Sequence, residues 1–279
     1  MTNNYFALLG INRPEDLRLE TQWGADEGPN SPVDVPVGRD RAGQTLSFNF
    51  SRFAGTDDHH LIVAAPGAGT TTLLRALTTG LRVRRSPRFH NLFIIEGKPR
   101  GEYRDFAATP GIVGRVDPRD DGTQTAWRLG QVLVGEIERR RAVIEAAGAA
   151  GFSDYQMRTR DVHDVDEVEI PWLPELYIVV DNIDWLVGTD FDDVLPAIRA
   201  DGNALGIKLI IGTSYDTWSR LNADDYFDNV TPRFTLGLTA QQSSSVFGAD
   251  VSEDLINPGE AYLHTHDGTR TRFTVVPVE

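Results

Sequence analysis

Short apolar runs recur along the chain and alternate with stretches whose apolar residues return every third or fourth position, the two patterns of strands and helices. "QTLSFNF" (44–50) alternates and predicts a half-buried strand, whereas "HLIVAA" (60–65) predicts a fully buried one. Further strands are predicted at "NLFIIEG" (91–97), "GIVGRVD" (111–117), "LYIVVD" (176–181), "IKLIIGTS" (207–214) and "RFTLGL" (233–238). "GEAYLHTH" and "RTRFTVVPVE" predict a closing hairpin that turns at Asp267-Gly268. Helices are predicted over 70–80, 125–147 and 190–206. In the second, Leu129, Leu133, Ile137 and Ile144 fall near one face, and Gly148 ends it. Its other side carries Glu136, Arg139 and Arg140, so the arginines from 139 to 141 read as a solvated face. Residues 12–38, rich in turn formers and acids, predict a short helix followed by an extended connector, and residues 157–175 a second, charged connector. Short strands alternating with helices predict an α/β fold, a mostly parallel sheet with helices on both faces.

Composition narrows the function classes. The length of 279 residues fits one large domain or two small ones. No apolar run is long enough to span a bilayer, and "MTNNYFALLG" is no signal peptide. The absence of cysteine excludes disulfide and thiol chemistry and fits a reducing compartment. A net charge of −14 argues against a large nucleic-acid footprint, which needs a basic field.

Candidate chemistry gathers where strands end, because ligands of such sheets sit at the carboxyl ends of the strands. "HLIVAA" runs into Pro66-Gly67-Ala68-Gly69-Thr70-Thr71-Thr72, "LYIVVD" ends on Asp181, and "IKLIIGTS" ends on Thr213 and Ser214. A P-loop NTPase keeps its phosphate loop, magnesium-holding acid and sensor at these three places. Thr71 stands where the magnesium hydroxyl belongs and Asp181 where the Walker B acid belongs. Against the motif G-x-x-x-x-G-K-[ST], however, the first Gly is Ala64 and the Lys is Thr70. The alternative is a tight turn that binds nothing, with Thr70 to Thr72 as hydroxyl caps of a helix start. Asp161, His163, Asp164 and Asp166 lie in an acidic connector without fixed ligand geometry, and His264 and His266 read as satisfied or exposed rather than as a metal pair.

The order of these segments resembles the FtsK/SpoIIIE family of hexameric motor domains, with a RecA-like P-loop fold. Within it, the chain is most similar to the first ATPase domain of the EccC motors of type VII (ESX) secretion. The likeness is carried by "LLGINRPEDL", "DVPVGRDRAGQTLSFNF", "FIIEGKPRGEYRDFAATPGIVGRV", "GEIERRRAVIEAAG", "LPELYIVVDNIDWL", "ALGIKLIIGTS", "SVFG" and "NPGEAYLHTHDG", collinear from Leu8 to Val278. It implies a lead-in over residues 1–50 and an ATPase domain over 51–279. Departures fall on the chemistry. Besides Thr70, the Glu expected after the Walker B Asp is Asn182, the sensor Gln and Arg are Ser214 and Tyr215, and the Arg expected to reach a neighbouring subunit is Asn203. Arg199 lies one turn from Asn203, and Lys98 stands where a family strand ends Asp-Phe-Lys-Gly-Gly, its glycines replaced by Pro99 and Arg100.

An arginine finger alone contributes roughly 10³–10⁵ in rate and an oriented base about 10²–10⁴ more, so hydrolysis is expected to be negligible. Weak binding of ATP with Mg2+ through the loop amides, Thr71 and Asp181 is a separate expectation. The resemblance further implies a cytoplasmic place in a membrane-anchored motor, reached through other segments. Its partners would be other ATPase domains in a hexameric ring and small secreted WXG-type substrates, and its role that of a scaffold or regulatory module. The alternatives are an active FtsK-like DNA translocase and a domain that binds a substrate's signal peptide.

Overall fold

The computed structural model describes residues 4–23, 33–50, 59–97, 101–106, 108–117, 122–160 and 172–278. In chain order the elements are α1 (Tyr5–Leu8), α2 (Leu19–Trp23), β1 (Asp34–Asp40), β2 (Thr45–Asn49), β3 (His60–Ala64), α3 (Thr70–Arg84), β4 (His90–Ile95), β5 (Ile112–Val116), α4 (Gly122–Ala146) and α5 (Phe152–Arg160). They continue with β6 (Glu175–Val180), α6 (Phe191–Leu205), β7 (Ile207–Ser214), α7 (Tyr215–Leu221), β8 (Thr231–Leu236), α8 (Ala240–Phe247), β9 (Glu260–His264) and β10 (Arg270–Val275).

The ten strands among the described residues form one sheet in the order β2-β1-β10-β9-β8-β3-β7-β6-β4-β5. From β8 to β5 the pairings are parallel; from β8 to β2 they are antiparallel. The register brings the carboxyl ends of the parallel strands level, with Ala64 opposite both Ser214 and Leu236, and Val180 opposite both Ile95 and Ile211. The loops that leave these ends therefore share one rim of the sheet.

The apolar strands are buried on both faces, which is why they read as continuous hydrophobic runs. Leu61, Val63, Ile178, Val180, Leu209 and Ile211 pack against α4 and α6 through Leu129, Leu133, Ile137, Val194 and Ile198. On the opposite face, Ile62, Ala64, Tyr177, Val179 and Ile210 pack against Leu73, Leu74, Leu77 and Leu81 of α3. A third cluster seats Tyr5, Phe6, Leu8 and Leu9 on Ala76 and Val83 of α3 together with Val276. There the Tyr5 hydroxyl reaches the carbonyls of Ala76 at 2.5 Å and Pro36 at 3.0 Å. Gly80 of α3 accommodates this contact, because a Cβ there would overlap Val35 and stand 2.7 Å from the Tyr5 oxygen.

Three expectations are corrected. Residues 34–38 are strand β1 rather than connector, paired with β2 and β10. Residues 157–160 belong to α5, which turns Phe152, Tyr155 and Thr159 inward. The three arginines of α4 do not share a solvated face. Arg139 and Arg141 pair with Glu136 and Asp201, but Arg140 is buried, donating to Glu136 and to the carbonyls of Leu205, Gly206 and Pro174. The Leu205 and Pro174 carbonyls lie at the end of α6 and the entry to β6, and the Gly206 carbonyl, which also accepts from the Leu176 amide at 2.8 Å, has a second lone pair; a five-donor guanidinium reaches all three at once. The C-terminal hairpin is as expected, with Thr265 and Thr269 closing it over Gly268.

Candidate functional site

β3 delivers the chain to the rim at Ala64. The Ala65 amide then donates to Leu236 of the neighbouring strand at 2.9 Å, and the Ala68 amide back to Ala65 at 3.1 Å. The turn needs left-handed backbone at Gly67 (φ 78°) and Gly69 (φ 112°), a conformation glycine adopts without steric cost. Gly69 is the N-cap of α3 and, having no side chain, makes no cap hydrogen bond. The amides of Thr70, Thr71 and Thr72 lie in the first turn without an intrahelical acceptor, at the positive end of the helix dipole. From behind, the Gly259 amide donates to the Ala68 carbonyl at 3.0 Å, and Gly237 leaves room for the Ala68 side chain.

The Thr71 hydroxyl instead donates to Asp181, 2.9 Å from one carboxylate oxygen and 3.0 Å from the other. Asp181 is buried at the end of β6. Asn182 turns its side chain to its own backbone: its oxygen accepts from the Asp184 amide at 3.0 Å and caps the short turn Ile183–Trp185. Asp184 in turn accepts from the Thr213 hydroxyl at 3.0 Å and the Ser214 amide at 3.4 Å, and the Ser214 hydroxyl caps α7 by accepting from Thr217. Gly212 matters here, since a Cβ would overlap the Asp181 carbonyl and stand 2.7 Å from the Thr70 methyl.

Two clefts flank the start of α3. The smaller, of about 160 Å³, is lined by Ala64, Ala65, Pro66, Gly67, Thr70, Thr71, Asp181, Asn182, Asp184, Thr213 and Ser214. The larger, of about 350 Å³, lies between Gly67, Gly69, Thr70 to Thr72, Arg75 and Glu102, with Pro277 and Val278 as an apolar wall. The structure thus brings Pro66, Gly67, Gly69, Thr70, Thr71, Thr72, Asp181, Asn182 and Ser214 together around one helix start, with Ala68 packed beneath.

Other candidate positions lie elsewhere. Asn203 is exposed in the last turn of α6, where its carbonyl accepts from Gly206, at the amino edge of the sheet rather than at the loop rim. Arg199 is committed to the carbonyls of Asp225 and Asp228. Lys98, with Pro99 and Arg100, lies outside the described residues, as do Asp161, His163, Asp164 and Asp166. His264 packs on Phe247, and His266 bonds Arg233.

Sequence reasoning missed Asp184 and Arg75. A second Asp three residues beyond a strand-ending Asp was the available signal for the first, and an Arg one helical turn after Thr71 for the second. Arg75 forks onto Asp105 at 2.9 and 2.6 Å, donates to the Glu102 carbonyl, and lies over the rings of Phe106 and Tyr103. The pair raises the guanidinium and lowers the Asp105 carboxyl from their ordinary values. Burial, with Asp181 nearby, pushes the Tyr103 hydroxyl well above its usual range.

Known proteins share this fold. ESX-4 secretion system protein EccC4 of Mycobacterium tuberculosis is 29% identical over 272 residues, 95% of this chain and 21% of that protein. The solved cytoplasmic domain of the type VII secretion ATPase EccC of Thermomonospora curvata superposes with a TM-score of 0.79 at 24% identity, over 98% of this chain and 32% of that one. ATPases 2 and 3 of the same EccC, solved in complex with a signal sequence peptide, superpose at 0.63 with 19% identity, over 92% of this chain and 42% of theirs. The chain therefore spans about a fifth to two fifths of these relatives. The FtsK/SpoIIIE family model matches residues 20–261, and the chain belongs to the FtsK/SpoIIIE family.

Proposed function

We propose that the chain is an ATPase-fold module of a type VII secretion motor, resembling the first ATPase domain of EccC, that holds MgATP weakly and hydrolyses it negligibly. The observation that carries this is the Thr71–Asp181 hydrogen bond, set between two positions that have lost their charge. Thr71 and Asp181 would hold a magnesium ion with its phosphates, and the first-turn amides of α3 would meet the phosphate chain. When bound, the ion would neutralise phosphate charge; the chain's own groups supply orientation. Thr70 cannot supply the lysine charge. Asn182, an amide spent on a cap, cannot take a proton from water, and Asn203 offers no guanidinium to a neighbour.

Such a module acts by binding and geometry. In a ring with other ATPase domains, on the cytoplasmic face of the motor, it would hold the assembly and pass on its nucleotide state. Calorimetric titration with MgATP of the chain and of Asp181→Ala tests the proposal. Weak binding lost in the variant, with no phosphate release by the parent, is expected; ready hydrolysis by the isolated chain sinks it.

A second reading follows from EccC ATPases 2 and 3, which were solved with a signal sequence peptide. By likeness, this module would take the signal segment of a small WXG-type secreted protein. Titration with such a peptide separates the two, since a scaffold leaves the peptide free.

A further inference from the structure

The loop's missing charge has a candidate replacement inside the same cleft. Among the described residues, Arg75 is the one cationic side chain that lines either cleft. It follows Thr71 by four residues and Thr72 by three, so all three lie on one face of α3. Helical side chains lean toward the amino end, and a long one covers the turn before its own Cα. For Arg75 that turn is the one whose amides face the cleft.

We infer that Arg75 supplies the cation that Thr70 lacks, moving its guanidinium from Asp105 to the phosphate chain of a nucleoside triphosphate bound at the start of α3. This rests on the nucleotide reading of the site and names the residue that makes it work. In the unliganded chain the guanidinium is parked. Its fork is filled by Asp105, whose side chain is 61% exposed against 17% for Arg75. The Asp105 side of the pair is open to water, so a phosphate can compete with that carboxylate for the fork. A phosphate chain offers the same fork geometry with more charge than one carboxylate. Phe106 and Tyr103 hold the flat group in place as it turns, through their faces rather than through hydrogen bonds. Tyr103 is fully buried, and among the described residues its hydroxyl has no hydrogen-bond partner.

The test is calorimetric titration with MgATP of the parent chain, Arg75→Ala, Arg75→Lys and Asp105→Asn, each checked for an unchanged fold by circular dichroism. Arg75→Ala is expected to weaken binding roughly 10- to 100-fold, the effect of a hydrogen bond to a charged group, with part recovered in Arg75→Lys. Asp105→Asn is expected to tighten binding several-fold by freeing the guanidinium, a gain that a merely structural role for the pair would not give. Binding by the parent that neither Arg75→Ala nor Asp105→Asn alters overturns the inference and leaves the nucleotide reading standing. Absence of binding by both the parent and Asp105→Asn overturns the nucleotide reading and the inference together.

Discussion

The hydroxyl of Thr71 and the carboxylate of Asp181 meet at 2.9 and 3.0 Å, closing α3 onto the end of β6 across 110 residues of chain. Under the proposed function this is the half of the site that would hold a metal ion. The residues on either side of it in sequence, Thr70 and Asn182, carry no charge.

Restoring the two charges in turn separates binding from chemistry. Thr70→Lys is expected to tighten MgATP by roughly 10- to 100-fold, about 1.5–3 kcal/mol for a hydrogen bond to a charged group. Turnover stays negligible until Asn182→Glu is added, at a cost of about 1 kcal/mol in stability for the lost cap. Calorimetry and a phosphate-release assay read both steps. An unchanged affinity in Thr70→Lys would mean the loop is no longer a phosphate site.

The neighbours Arg139 and Arg140 are expected to differ sharply. Arg140→Ala takes the donor from the Leu205 and Pro174 carbonyls and from one side of Glu136, while the Gly206 carbonyl keeps the Leu176 amide, and should cost about 2–4 kcal/mol, toward the low end for breaking a buried ion pair because Glu136 keeps Arg139. Arg139→Ala removes an exposed pair and should cost less than about 1 kcal/mol. Denaturant melts decide it, and equal losses would refute the burial of Arg140.

Two glycines in helices should respond with opposite signs to alanine. Gly135 of α4 has open space where a Cβ would stand, so Gly135→Ala should stabilise by about 0.5–1 kcal/mol. Gly80→Ala gains the same propensity but drives into Val35 and the Tyr5 hydroxyl, and overpacking of about 1–3 kcal/mol wins. Its thermal midpoint should fall while that of Gly135→Ala rises.

Acid should destabilise the fold before carboxylates titrate. His60 is buried beside Phe48 and Phe50, and burial, helped by Arg233 and Lys208, holds its imidazole well below the ordinary 6.5. His90 is lowered too, burial outweighing its bond to Glu175. The folded rings stay neutral where the unfolded chain takes up protons. Stability is therefore full above about pH 6.5 and falls as pH drops below it. Thermal midpoints between about pH 7.5 and 5.5 should decline, less steeply in His60→Phe; a flat profile in the parent would contradict the assignment.

Much of the parallel half of the sheet was legible because β3, β6 and most of β7 are buried along their length and so read as nearly continuous apolar runs. β1 was not, since "DVPVGRD" carries a Pro and a Gly that usually break strands. Here a register shift between Pro36 and Gly38 absorbs them, and Gly38 lets Thr274 approach, facts of pairing that no local pattern holds. Helical periodicity likewise placed the three arginines of α4 on one broad side without showing that the carbonyls of Leu205 and Gly206 would draw Arg140 inward. At the site, the loop, Thr71 and Asp181 were readable as a motif. Arg75 acquired meaning only when Asp105 and Glu102 folded back onto its helix.

The floor of the loop from Pro66 to Gly69 comes from distant stretches of chain, where Gly259 holds Ala68 and Pro277 with Val278 walls the larger cleft. The pocket is a seam between distant stretches rather than a property of the strand–loop–helix that carries the motif. A fragment ending at Phe247 would keep every recognisable nucleotide residue and lose the surface that fixes the loop's shape. Its silence in a binding assay would be a statement about the hairpin, not about Thr70 or Asp181.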